Sequence, residues 1–100
     1  MLHMVTGTHG ADTCAAAHAD IGEMARDGWE RLDDASKELG VTLQGAWVDP
    51  PAHVFYFLFD APNAHAVSNL LIELKLFHWN TLDVHPVRTV DEAMPLTARE

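Results

Sequence analysis

The spacing of apolar residues along this chain switches between a period of two and a period of three to four, and that switching constrains the fold more than any single motif. Leu2 to Thr8 alternates, with Leu2, Met4 and Thr6 on one side and His3, Val5 and Gly7 on the other, as a strand does. Beyond Gly10, Asp12 or Thr13 can cap a helix on which Cys14, His18, Ile21, Ala25, Trp29, Leu32, Ala35 and Leu39 recur at steps of three and four. Gly22 and Gly28 inside that stripe each cost about 1 kcal/mol against Ala, so a bend or break is expected near one of them. Gly40 is expected to end the helix in the left-handed conformation.

Val41 to Val48 reads as a second strand, Asp49-Pro50-Pro51-Ala52 as a turn, and His53 to Phe59 as the returning strand of a hairpin. Asp60 or Asn63 caps a second helix with Val67, Leu70, Leu71 and Leu74 on one stripe, and Thr81 to Val87 alternates again. The order is βαββαβ. Two helices with one apolar stripe each cover one face of a four-stranded antiparallel sheet, so an α+β, ferredoxin-like sandwich is expected, with strand order 4-1-3-2. Residues 1–93 form the domain and 94–100 a loose C-terminal tail.

One hundred residues, 48% of them hydrophobic and 21% charged, suit a single core. Fifteen acids against six bases give a net charge of −9, which disfavours nucleic acid and anionic membranes as partners. The apolar run Val54 to Phe59 is far shorter than the ~20 residues of a membrane span, and Met1-Leu2-His3-Met4 lacks the basic start of an export signal, so a cytoplasmic protein is expected. The lone Cys14 excludes an internal disulfide and any multi-thiolate metal cluster within one chain. Seven histidines stand out.

Uniform apolarity assigns Leu2, Met4, Val41, Leu43, Trp47, Val54, Tyr56, Leu58, Leu82 and Val84 to the helix-covered face. The opposite face then carries His3, Val5, Gly7, His9, His53, Phe55, Phe57, Phe59, Asp83, His85 and Val87. Three exposed phenylalanines imply a partner, most simply a second copy closing sheet to sheet around a half-polar interior. With the first and third strands taken as parallel neighbours, His3, His53 and His85 gather at one end of that face. They are a candidate set for a transition-metal ion, with Asp83 as a fourth ligand or second partner. The plainer reading is three imidazoles lining a wet seam. At the other end stand His9, His78 and Trp79, with Cys14 and His18 one turn apart on the first helix. A general base or a reactive thiol there competes with simple core packing of the two helix residues.

The stretch Leu74-Lys75-Leu76-Phe77-His78-Trp79-Asn80-Thr81-Leu82-Asp83-Val84-His85-Pro86-Val87 resembles the L-x-L-[FW]-P-[WY]-M-D-I-E-V-x-P-L ending of muconolactone isomerases, within the dimeric α/β-barrel superfamily. The Met1-Leu2-x-Met4-Val5 start is similar too, and Thr8-His9-x-x-x-x-Cys14 is similar to a string in small uncharacterised members. His78 replaces the family proline, Asn80 the methionine and Thr81 the first acid, while Asp83 keeps an acid where the pattern has Glu. The resemblance implies a homodimer or higher ring and a cofactor-independent proton shift on a small carbonyl or lactone compound bound between the sheets. On that reading His85 or His9 is the base, Asp83 orients it, His53 and His3 polarise the carbonyl, and Phe55, Phe57, Trp79 and His78 shape the pocket. The alternative is a non-catalytic module whose histidine cluster holds a transition metal, haem or a small ligand.

Overall fold

The computed structural model describes residues 1–99. Strands β1 (Leu2–Thr8), β2 (Thr42–Asp49), β3 (Val54–Asp60) and β4 (Thr81–Val87) form one sheet in the order β2-β3-β1-β4. Helices α1 (Ala19–Glu38) and α2 (Ala64–Glu73) cover one side of it, making the expected α+β, ferredoxin-like sandwich. A short third helix, α3 (Val90–Ala93), and a 3-10 turn at Met94–Leu96 follow β4. Glu100, the last residue of the expected tail 94–100, lies outside the described residues.

Every neighbouring pair of strands is antiparallel, β1 against β3 included, which corrects the parallel pairing expected for those two. The α1 crossover returns the chain so that β2 runs the same way as β1. The tight hairpin then reverses it, so β3 enters between them opposed to both. Leu2 therefore sits opposite Asp60 and Thr8 opposite Val54.

The faces also differ from expectation on β1 and β3. Phe55, Phe57 and Phe59 point under the helices, at most 2% exposed, while Tyr56 and Leu58 lie on the open side. Both parities of Val54–Phe59 are apolar, so the strand alone does not choose. Burying three phenyl rings against α1 and α2 removes more apolar area from water than the alternative, and the packing goes that way. Register carries the choice across the sheet: Val5 pairs with Phe57 and Val84, and His3 with Phe59 and Pro86. Leu82 and Val84 face the helices as expected, with Asp83 and His85 on the open side. An irregularity between Leu43 and Gly45 shifts β2, so Trp47 pairs with Tyr56 and is 55% exposed instead of helix-covered.

Ala25, Leu32 and Ala35 of α1 and Val67, Leu70 and Leu71 of α2, with Leu74 just beyond it, are buried in this core, as their stripes predict. Asn63 caps α2, its Oδ1 accepting from Ala66 N at 2.9 Å. Gly40, at φ +71°, stops α1. The helix runs continuously through Gly22 and Gly28 but starts five or six residues later than Thr13 or Asp12 would place it. Thr13 Oγ1 donates back to Gly10 O at 3.5 Å, and Ala17 and His18 both donate to Cys14 O at 3.1 Å. These local bonds close turns in place of a first helical turn, so Cys14 lies in a loop and His18 is only the N-cap residue.

Candidate metal centre

Antiparallel pairing of β1 and β3 brings the end of one beside the start of the other. His9 follows β1 and His53 precedes β3, and His9 N donates to His53 O at 3.2 Å, carrying the ladder one step past both strands. The Asp49-Pro50-Pro51-Ala52 turn closes tightly: His53 N donates to Pro50 O at 3.1 Å, and Asp49 Oδ1 accepts from Ala52 N at 3.4 Å. The closure leaves His53 at φ +56°, a left-handed conformation that costs a side-chain-bearing residue about 1–2 kcal/mol. The two rings meet edge to face, 5.2 Å between centres.

The loop after β1 brings in a third donor. Gly22 lets it lie against α1, since a Cβ there would stand 2.8 Å from Ala15 O. His18 Nε2 donates to Ala11 O at 3.0 Å and ties the loop to the helix start. Cys14 is thereby buried, and its sulfur and one ring nitrogen each of His9 and His53 all lie within 4.8 Å of one another.

A residue of β4's approach orients the first donor. His9 Nδ1 is 2.9 Å from Asn80 Oδ1, and Asn80 Nδ2 donates to Leu76 O at 3.1 Å. The second bond sets the amide so that its oxygen faces His9. His9 therefore donates from Nδ1, and in its neutral form the lone pair is on Nε2. That Nε2 is buried without a partner, as are His53 Nδ1 and Trp79 Nε1. A cavity of about 160 Å³ opens against the triad, walled by Trp29, Val48, Pro50, Phe55 and Trp79. Three unsatisfied nitrogens and a thiol thus belong to residues that line one cavity, a ligand-binding arrangement.

Of the residues expected to form a site, His9, His53, Phe55 and Trp79 line this cavity. Phe57 sits beside Phe55, 4.9 Å between ring centres, within the core. His78 is exposed and packs edge-on against Phe77. His3 lies at the far end of β1, fully buried on the helix side, donating from Nδ1 to Met1 O at 3.2 Å. His85 and Asp83 are exposed on the open side, opposite Met4 and Thr6. His3, His53 and His85 therefore do not gather: antiparallel pairing puts His3 and His53 at opposite ends, and alternation puts His3 and His85 on opposite faces. The sequence placed Cys14 at the same end as His9 as a candidate thiol but not together with His53, and it did not single out Asn80 as a contributor. The Thr8-His9-x-x-x-x-Cys14 spacing was the local trace of Cys14.

The model of the family described as "Domain of unknown function (DUF3303)" matches residues 1–100. The chain belongs to the DUF3303 family. Two solved structures resemble this DUF3303 chain over most of its length. One is the SCO4226 protein of Streptomyces coelicolor A3(2), 22% identical, with a TM-score of 0.57, covering 87% of this chain and 96% of that one. The other is muconolactone isomerase, also 22% identical, with a TM-score of 0.60, covering 90% of this chain and 92% of that one. The fold is thus the ferredoxin-like fold of muconolactone isomerase. No curated protein matches. Among the described residues, no helix is long and apolar enough to cross a membrane.

Proposed function

We propose that this DUF3303 protein binds a transition-metal ion through His9 Nε2, Cys14 Sγ and a ring nitrogen of His53. The observation that carries the reading is the approach of Cys14 Sγ and one ring nitrogen each of His9 and His53 to within 4.8 Å of one another. Bonds of about 2.0–2.3 Å to a tetrahedral ion place donors roughly 3.5 Å apart, so modest side-chain movement closes the set. Asn80 fixes the His9 tautomer, as a hydrogen-bonded partner does for metal-binding imidazoles. Two imidazoles and a thiolate suit a borderline-soft ion such as zinc or copper(II), and three protein donors leave one position open to the cavity. In the reducing cytoplasm Cys14 would remain a thiol available for this role.

The test is elemental analysis of untagged protein after zinc or cobalt loading and gel filtration. About one equivalent per chain is expected, with thiolate-to-cobalt charge-transfer absorption in the cobalt form. Cys14→Ser should remove the absorption, and His53→Ala should lower the metal content. Metal content far below one equivalent, or uptake indifferent to both substitutions, overturns the reading.

The free Nε2 of His9 in an aromatic-walled cavity also supports a second reading, a metal-free proton shift on a small carbonyl or lactone compound. His9 would be the base and His53 would polarise the carbonyl. His85 and Asp83 join that chemistry if a second copy closes over the open face. We infer such a homodimer from two features: that face keeps Leu2, Met4, Tyr56 and Leu58 partly or wholly exposed, and the segment after β4 holds Val90, Met94 and Leu96 at 58–77% exposure.

A further inference from the structure

The cavity beside the triad is larger than a metal ion and its water require. Its volume, about 160 Å³, is close to the roughly 150 Å³ of an apolar cavity that takes up one benzene ring. Its walls offer rings to a flat guest. Trp29 and Trp79 stand 6.1 Å apart between centres, with their planes at 76°, and Phe55 stands 6.4 Å from Trp79. Trp79 is 6% exposed, and its indole Nε1–H has no acceptor. A buried donor left unpaired is costly, so an acceptor inside the cavity would relieve it.

Charge narrows the guest further. A divalent ion on one thiolate and two neutral imidazoles carries a net positive charge among apolar walls, and a monoanionic oxygen donor neutralises it. The carboxylate at the rim, Asp49, is exposed and already accepts from Ala52 N. His9, Cys14 and His53 all line the cavity, so a metal held by them would stand at its wall.

We propose that the cavity takes a single-ring aromatic ligand of the phenol class. Its oxygen loses its proton to solvent on binding, fills the open metal position as the phenolate and accepts the Trp79 Nε1–H, and its ring lies among Trp29, Phe55 and Val48. This rests on the metal reading above.

The test titrates phenol into the full-length, untagged, zinc-loaded protein, followed by calorimetry and tryptophan fluorescence. Saturable binding is expected, at least about tenfold tighter than to the zinc-free protein. Cyclohexanol, similar in size but neither flat nor readily ionised, should bind more weakly than phenol. Trp79→Phe, which keeps a ring and removes the N–H, should weaken phenol several-fold with zinc content unchanged. Protein holding its full zinc that shows no saturable phenol binding, or binds phenol and cyclohexanol alike, overturns this inference and leaves the metal centre standing. Failure to take up zinc, read by elemental analysis before phenol is added, overturns the metal centre and this inference with it.

Discussion

Asn80 holds His9 from behind: its Oδ1 accepts the imidazole Nδ1–H at 2.9 Å while its own Nδ2 is anchored on Leu76 O at 3.1 Å. Loss of such a support to a metal-binding imidazole typically costs about 10- to 100-fold in affinity. Asn80→Ala is therefore expected to weaken zinc binding by that order. Asn80→Asp, which retains an acceptor for Nδ1, should recover most of the loss. Competition titration against a chelating dye measures both.

The histidines divide into two groups by position. His9→Ala and His53→Ala should abolish stoichiometric zinc, whereas His3→Ala and His85→Ala should leave metal content unchanged, since His3 lies at the other end of the sheet and His85 on its open side. Elemental analysis of the four variants separates the groups, and zinc lost from His85→Ala with the fold intact would contradict the assignment.

Face parity has an energetic signature. Phe57 is 1% exposed between α1 and the sheet, with the Trp29 ring 5.6 Å away, so Phe57→Ala should cost about 3–5 kcal/mol. Tyr56, one residue earlier and 40% exposed, should cost less than about 1 kcal/mol as Tyr56→Ala in dilute protein. Urea denaturation of the two variants reads the difference.

His53 combines the metal-donor role proposed for it with a left-handed backbone. Glycine occupies that conformation without the Cβ penalty, so metal-free His53→Gly should be more stable than metal-free His53→Ala by about 1 kcal/mol, although neither binds zinc. Thermal denaturation of the pair tests whether the turn imposes the strain.

The segment after β4 is ordered by its own capping box. Thr89 Oγ1 accepts from Glu92 N at 3.1 Å, and Thr89 N donates to Glu92 Oε1 at 3.2 Å. Its apolar side chains nonetheless face outward. Removing every residue after Val87 should leave the sheet folded and reduce self-association, as measured by sedimentation over a range of concentrations.

Local periodicity by itself determined the elements. Alternation in Leu2–Thr8 and Thr81–Val87, the Val67, Leu70, Leu71 and Leu74 stripe, the Asn63 cap and the Gly40 stop all act within one turn or one strand, and all stand in the structure. Their order was enough to imply the ferredoxin-like topology. Tertiary structure decided the rest, because each remaining question compared packings and not residues. Val54–Phe59 is apolar on both sides, and only the helices laid across the sheet chose the phenylalanine side for burial. Cys14 fits a helical stripe by spacing, yet hydrogen bonds around Gly10 and Cys14 hold it in a loop. The site followed from pairing direction: antiparallel β1 and β3 join His9 to His53 and separate both from His3, a consequence of chain reversal that no local pattern records.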